Sequence, residues 1–160
     1  MQDLTSYART QATAAAVINM VVNPLLSWLG NLDRAVTPVA SLSVSVAITC
    51  LVMATLIAFF LASGTRKALS TGKVRPGPSA GSAVLGHLPR SWFALGVSLG
   101  LLSALVLVPL TSALFMLLGL EELPFWAVLV FQVVYTPVLA YLLSVVVIRR
   151  VAASRVPALP

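Results

Sequence analysis

The sequence predicts an all-α membrane protein, a bundle of four transmembrane helices with both termini in the cytoplasm. Of its 160 residues, 59% are hydrophobic and 9% are charged, whereas an ordinary soluble domain has about 25% charged residues. The charged residues leave four long uncharged runs, and each run exceeds the ~20 residues that cross ~30 Å of hydrocarbon as a helix. The basic residues fall mainly on one side of these runs, which predicts the orientation. We therefore expect residues 1–160 to form a single transmembrane domain.

The first predicted helix covers residues 10–30. Backbone groups in hydrocarbon must be bonded within a helix or a closed barrel, and the alternating pattern of barrel strands does not occur in this sequence. A cleaved signal peptide is the alternative for this run. We favour the helix because the run follows a single Arg9, contains Asn19 and Asn23, and lacks a convincing cleavage site.

The second predicted helix covers residues 38–63, with Thr37 as its N-cap and Pro38 at its first position. The third covers residues 91–119 and the fourth covers residues 123–148. All charged residues lie outside these four spans. No acid or base is therefore available at mid-membrane for a proton relay or a buried counter-ion.

The segment 65–90 is predicted to be a basic cytoplasmic linker. It holds five of the ten Lys and Arg residues, and the bias of such residues toward the cytoplasm predicts that both ends of the chain lie inside. The small size and short loops favour a bacterial cytoplasmic membrane. The linker would be attracted to anionic lipid headgroups by ~1 kcal/mol per charge. Alternatively, its charges serve only to set the topology of the chain. We expect no nucleic-acid partner.

Small residues at a spacing of four predict close helix packing, because lipid solvates Leu as well as another helix does. These predicted packing residues are Ala54, Ala58 and Ala62 on the second helix and Gly96, Gly100 and Ala104 on the third. Two such seams would leave a face for a second subunit. We therefore expect a homo-oligomer.

Neutral polar residues inside the spans form the candidate pathway for a solute or an ion. They are Asn19, Asn23, Ser27, Thr49, Gln132, Tyr135 and Thr136, with Ser45 nearby. A spacing of four places the first three on one stripe of a helix, and Gln132 with Thr136 on another. Proline lacks an amide hydrogen, so we expect helix breaks at Pro24, Pro109 and Pro137.

The polar stripes of the first and fourth helices share a register, since Asn23-Pro24 aligns with Thr136-Pro137. These two helices cross in opposite directions, as the units of an inverted transporter repeat would. Stripes facing each other across a wet cavity could bind or conduct a small polar solute. Alternatively, the amides only bond to a neighbouring helix, which contributes ~0.6 kcal/mol on average.

We expect no enzyme, metal site or cofactor. Cys50 is the only cysteine and His87 the only histidine, which excludes a redox pair or a His-x3-His metal pair within one chain. Glu121 and Glu122 could bind a cation, but they suit the start of a helix. We therefore predict an oligomeric channel or transporter for a small polar solute or ion. The alternative is a non-catalytic subunit of a larger membrane complex.

Overall fold

In the computed structural model, which describes residues 2–30, 35–75, 85 and 87–154, long helices are joined by short strands. The four helices of this described part are α1 (Leu4–Gly30), α2 (Val39–Ser70), α3 (Trp92–Leu117) and α4 (Phe125–Ala153). The strands are β1 (Gln2–Asp3), β2 (Val36–Pro38), β3 (Val74–Arg75) and β4 (Glu122–Pro124). This confirms the predicted helical fold.

Each helix is long and apolar enough to span a membrane, with 27, 32, 26 and 29 residues from α1 to α4. Many large apolar side chains lie on the outside of the bundle, among them Leu105, which is 73% exposed, and Met116, which is 83% exposed. A surface of this kind suits hydrocarbon rather than water. The helices therefore indicate an integral membrane protein.

Three helices extend further than the uncharged runs from which they were predicted. α1 begins at Leu4, α2 continues to Ser70 and α4 continues to Ala153. A helix does not have to end where the hydrocarbon ends, because exposed Arg and Lys side chains on an added turn can reach water. Thr37 lies in β2, and Pro38 precedes α2 with no side-chain cap hydrogen bond.

The helices pack in the order α1, α4, α2, α3, which differs from their order in the chain. α2 packs most extensively against α3, and α1 packs against α4, while α2 and α4 join these pairs at the centre. Consecutive helices α1 and α2 have little contact, as do α3 and α4. Lateral grooves therefore open between the members of each consecutive pair.

Glycines allow α3 to approach α2 closely. A Cβ atom on Gly96 would lie 2.7 Å from the Cα atom of Thr55, and one on Gly100 would lie 2.8 Å from the Cα atom of Leu51. On the facing side of α2 the predicted packing residues Ala54, Ala58 and Ala62 are at most 1% exposed. Ala104 is partly buried against the same core.

The two ends of the bundle differ. At the loop end, β2 and β4 pair antiparallel, and the backbone N–H groups of Val39 and Phe125 donate reciprocally to the carbonyls of Glu121 and Ala35, at 3.0 and 3.1 Å. At the terminal end, β1 pairs with β3, and Leu4 packs near the end of α4. The eight basic residues that the structure describes lie toward this terminal end.

The two halves of the chain repeat the same pattern of burial and helix contact. α2 and α4 begin 86 residues apart, at Val39 and Phe125. At this offset every buried residue of α2 meets a buried residue of α4: Leu42 and Val128, Val46 and Gln132, Cys50 and Thr136, Met53 and Leu139, Ala54 and Ala140, Ile57 and Leu143, Ala58 and Ser144, Ala62 and Ile148, Thr65 and Val151.

The outer helices follow the same relation. α1 and α3 begin 88 residues apart, at Leu4 and Trp92, and this offset matches the buried Ala8 with Gly96. Both halves run in the same direction, because their strands β2 and β4 meet at one end. The structural repeat therefore relates α1–α2 to α3–α4 in parallel, and the inverted repeat of α1 with α4 that the sequence indicated is corrected.

The prolines do not break their helices. Pro24, Pro109 and Pro137 each lie inside a helix that continues on both sides. Proline removes one backbone hydrogen bond, and neighbouring groups in a membrane bundle can replace it. Each predicted break is therefore the local loss of one hydrogen bond within a helix that continues.

Candidate functional site

The polar stripes of α1 and α4 meet in direct contact. The amide nitrogen of Gln132 donates to the Ser27 hydroxyl at 3.1 Å. The Thr136 hydroxyl lies 3.2 Å from the carbonyl oxygen of Asn19, to which it can donate. Of the two interpretations that the sequence left open, this direct contact favours amides that bond to a neighbouring helix over stripes that face each other across a wet cavity.

The two asparagine amides bond mainly within α1. Asn19 donates to the carbonyl of Ala15 at 2.8 Å, and Asn23 donates to the side-chain oxygen of Asn19 at 2.9 Å. The same Asn23 nitrogen lies 3.9 Å from the sulfur of Met53 on α2. The pair therefore bridges the groove between α1 and α2 near its middle.

A polar pocket lies between α1, α2 and α4 on the loop-end side of Asn23. Its volume is about 280 Å³. Five hydroxyl residues line it, from β2, α2 and α1: Thr37, Ser41, Ser45, Thr49 and Ser27. The spacing of four along β2 and α2 keeps the first four of these hydroxyls on one side. The pocket carries no formal charge.

Sequence reasoning missed two of these hydroxyl residues. It included Thr49 and Ser27 in the pathway and noted Ser45, but it assigned Thr37 to a helix cap and passed over Ser41. The available signal was the unbroken spacing of four from Thr37 to Thr49. It was hidden because Thr37 precedes the helix that carries the others.

Gln132 lies beside this pocket with one polar atom unpaired. It is 4% exposed, and its side-chain oxygen has no hydrogen-bond partner among the described residues. Its neighbours on the pocket wall are Ser27, to which its nitrogen donates, and Val128, one turn earlier on α4.

Tyr135 and Thr136 occupy different sides of α4. The Tyr135 side chain interacts with that of Thr49 and also lines the groove between α3 and α4. Thr136 is fully buried, and its hydroxyl donates to its own helix at the carbonyl of Gln132, 2.8 Å away. The seven predicted pathway residues are therefore close together, but they divide between the α1/α4 contact, the polar pocket and its wall.

Two further grooves open sideways from the bundle. The groove between α3 and α4 has a volume of about 540 Å³ and an almost entirely apolar lining, with Ser103 and Tyr135 as the polar exceptions. The groove between α1 and α2, on the terminal-end side of Asn23, has a volume of about 350 Å³. Gln11 and Asn19 are its polar lining residues.

The chemistry that the polar pocket offers is neutral hydrogen bonding. Hydroxyl groups can both donate and accept hydrogen bonds, and the lining residue Ser27 already accepts one from Gln132. Among the described residues, no group of three His, Cys, Asp or Glu side chains is placed to hold a metal ion. The fold and the pocket together define a polytopic helical membrane protein with a neutral polar pocket.

Comparison of this chain with models of protein families, with curated proteins and with solved structures finds no match.

Proposed function

We propose that the protein is a multi-pass transporter of the bacterial cytoplasmic membrane that carries a small polar solute through the pocket between α1, α2 and α4. The pocket lined by five hydroxyl residues is the observation that carries this proposal, together with the unpaired side-chain oxygen of Gln132, whose nitrogen donates to the lining residue Ser27. Leaving a buried polar atom unpaired costs about 1–3 kcal/mol. A bound solute that hydrogen-bonds to Gln132 would remove this cost.

The internal symmetry supports a functional origin of these polar groups. The counterpart of Gln132 in the first half is Val46, and by the offset of the outer helices the counterpart of Ser27 is Phe115, both apolar and buried. The α2/α3 pair is apolar at this position, and its interhelical side-chain hydrogen bond lies about one turn away, between Ser43 and Ser112 at 2.9 Å. Packing alone does not require Gln132 and Ser27, so another role explains them better.

A carrier fits the geometry better than a continuously open channel. The contact of Asn23 with Met53 separates the polar pocket from the apolar groove on the terminal-end side. One side-chain hydrogen bond, from Gln132 to Ser27, joins α1 to α4 along the polar stripe, and the Thr136 hydroxyl, which donates within α4, lies 3.2 Å from the Asn19 carbonyl oxygen. Such an interhelical bond contributes ~0.6 kcal/mol on average in a membrane protein. Parting the helices to pass a solute would therefore break few strong interactions.

The orientation that we propose puts both termini in the cytoplasm and the polar pocket toward the outer side. It is supported by the eight described basic residues near the terminal end and by the acidic Glu121 and Glu122 at the loop end. Basic residues are retained on the cytoplasmic side of a membrane during insertion. Solute would then enter or leave the pocket from outside.

Flux into liposomes tests the proposal. Purified protein is reconstituted, and stopped-flow light scattering follows gradients of glycerol, urea and acetate, with indicator dyes for protons and potassium. We expect at least one solute to cross faster than in empty liposomes. The Ser45→Ala and Thr49→Val variants remove pocket hydroxyls and should slow that solute. Ser103→Ala, in the apolar groove between α3 and α4, is the matched control and should not.

Two results would refute this function. One is the absence of any protein-dependent flux across the panel. The other is an equal loss of flux in Ser103→Ala and in the pocket variants, because the pocket would then have no special part.

A subunit of a larger membrane assembly, or of a homo-oligomer, is the second candidate. The groove of about 540 Å³ between α3 and α4 favours it, since a concave surface between two helices allows a further helix to make close van der Waals contacts in lipid. Light scattering of the purified protein in mild detergent measures its mass and so distinguishes a monomer from a homo-oligomer or a larger assembly. A monodisperse monomer that transports alone would exclude both forms of this candidate.

A further inference from the structure

A small cationic pocket lies at the terminal end of the bundle, away from the polar pocket. Three arginines from separate segments line it: Arg66 from α2, Arg90 from the residues before α3, and Arg150 from α4. Trp92, the first residue of α3, lines it as well. No acidic residue belongs to its lining within the described ranges.

Arg150 is held in a fixed position although it is charged and buried. It is 5% exposed, and its Nε and Nη2 atoms both donate to the carbonyl of Leu88, at 2.9 and 2.6 Å. Arg150 also lines the pocket with Arg66 and Arg90. A buried charge without an opposite charge is costly.

Arg66 also fixes the segment before α3 while keeping donors to spare. Its Nη2 atom donates to the carbonyl of Arg90 at 3.3 Å. A guanidinium group has five N–H donors, so most of those on Arg66 remain for another partner. The two arginines therefore hold the residues before α3 in place and direct unused donors toward the same pocket.

The start of α3 adds a positive electrostatic contribution at this site. Ser91 precedes the helix and makes no side-chain cap hydrogen bond, and the first backbone N–H groups of a helix have no partner within it. The helix dipole also favours an anion at this end. Arginine side chains and a helix N-terminus in one pocket match the oxygen atoms of a phosphate group.

We propose that the pocket of Arg66, Arg90 and Arg150 binds a phosphate group, carried either by an anionic lipid headgroup or by a free phosphate. The enclosed space is only about 10 Å³, so a phosphate would place its oxygen atoms at the mouth and leave its substituent outside. A phospholipid would satisfy this geometry with its glycerol and acyl chains beside the apolar surface. The inference does not depend on the proposed transport activity.

Binding to the purified full-length protein tests this site. One arm titrates inorganic phosphate and follows the fluorescence of Trp92 in a Trp28→Phe, Trp126→Phe background. The other arm measures lipid retained by the protein after exchange from phosphatidylglycerol or phosphatidylcholine nanodiscs. We expect Arg66→Gln and Arg90→Gln to weaken binding by about tenfold, as the loss of a charge-assisted hydrogen bond predicts.

Two neighbouring charges provide matched controls. Lys67 and Arg149 are exposed, carry the same charge near the same end and do not line the pocket. Lys67→Gln and Arg149→Gln are expected to change affinity by less than about twofold, since a diffuse surface charge contributes little at physiological salt. Neither substitution removes a side-chain hydrogen bond of this pocket.

The outcomes decide both the site and the source of the phosphate. Preference for phosphatidylglycerol that falls only in the pocket variants establishes a lipid headgroup as the ligand. Binding of inorganic phosphate without lipid preference, lost in the same variants, establishes free phosphate. Equal losses in the pocket and control variants would overturn the proposal in favour of general surface attraction, and the absence of binding in both arms would overturn it as well.

Discussion

Replacing Gly96 by alanine probes the crossing of α2 and α3, on which one side of the bundle depends. The added Cβ atom would lie 2.7 Å from the Cα atom of Thr55 and 3.1 Å from the Cβ atom of Ala58. Carbon atoms in favourable contact are ~3.5–4.0 Å apart, so the two helices would have to separate by about 1 Å. The nearest obstacle is backbone, which cannot rotate away as a side chain could.

The expected cost follows from this separation. Overpacking a close contact typically costs about 1–3 kcal/mol, and the shift would also loosen Gly100, whose own Cβ position lies 2.8 Å from Leu51. Gly64→Ala is the matched control, because its Cβ would lie 3.9 Å from its nearest neighbour, the hydroxyl of Tyr7. The free energy of unfolding of that variant should equal or exceed that of the parent protein, since alanine favours a helix over glycine by up to about 1 kcal/mol.

Trp92 provides the readout for this comparison. Its ring lies 4.9 Å from that of Phe59 across the α2/α3 contact, so its fluorescence should change when the two helices part. With Trp28 and Trp126 replaced by phenylalanine, unfolding in mixed micelles of increasing dodecyl sulfate content gives the free energy of unfolding. Equal stability of Gly96→Ala and the parent protein would refute the close crossing, and an equal loss in Gly64→Ala would show that a clash is not the cause.

Two further predictions concern the polar stripe and the two halves of the chain. Asn19→Leu and Asn23→Leu should leave expression intact, because both amides bond mainly within α1, and should alter solute flux in liposomes, because they remove the amide pair that contacts Met53 on the terminal-end side of the polar pocket; unaltered flux in both variants would exclude the stripe from the pathway. Residues 1–80 and 81–160 expressed as separate chains should co-purify, because the most extensive helix contacts join one half to the other. A half that is stable and monomeric by itself would contradict this packing.

The spans were predictable from the sequence because charge is excluded from hydrocarbon. The ends of the helices were less predictable, since a helix can continue into water. Arg66, for example, is exposed on the last turns of α2, in a segment that the sequence had assigned to a linker. The small-residue seams were visible as spacings of four. That the seam of Gly96 meets the one containing Ala58 is a property of tertiary packing and could not be derived from either spacing alone.

The internal repeat could not be recognised because the matched positions share burial rather than chemistry. Val46 corresponds to Gln132, and Cys50 corresponds to Thr136. The sequence instead offered a similarity between α1 and α4, based on their asparagine, glutamine and proline residues. The structure explains that similarity differently, because the polar groups of α1 and α4 are complementary across a direct contact between the two helices.

Part of the polar pocket was hidden for a related reason. Its hydroxyls come from β2 and from two helices, α1 and α2, that have little contact with each other. In addition, Thr37 precedes the helix on which Ser41 lies. The cationic pocket was hidden more completely, since Arg150 and Leu88 are far apart in sequence and nothing in either segment indicates their hydrogen bonds. Composition identified basic residues on one side but not the three that converge.

Features that repeat in both halves of the chain can be attributed to the fold, whereas features found in only one half need another explanation. Each of the nine buried positions of α2 is buried again on α4, and the reciprocal hydrogen bonding at β2 and β4 also repeats, so these features suffice to assemble two similar halves. The Gln132–Ser27 contact does not repeat, and neither does Arg150, whose counterpart at an offset of 86 is Gly64. Polar groups inside a membrane bundle are costly to leave unpaired. Both departures place such groups beside a pocket, which makes these pockets better candidates for function than any part of the symmetric framework.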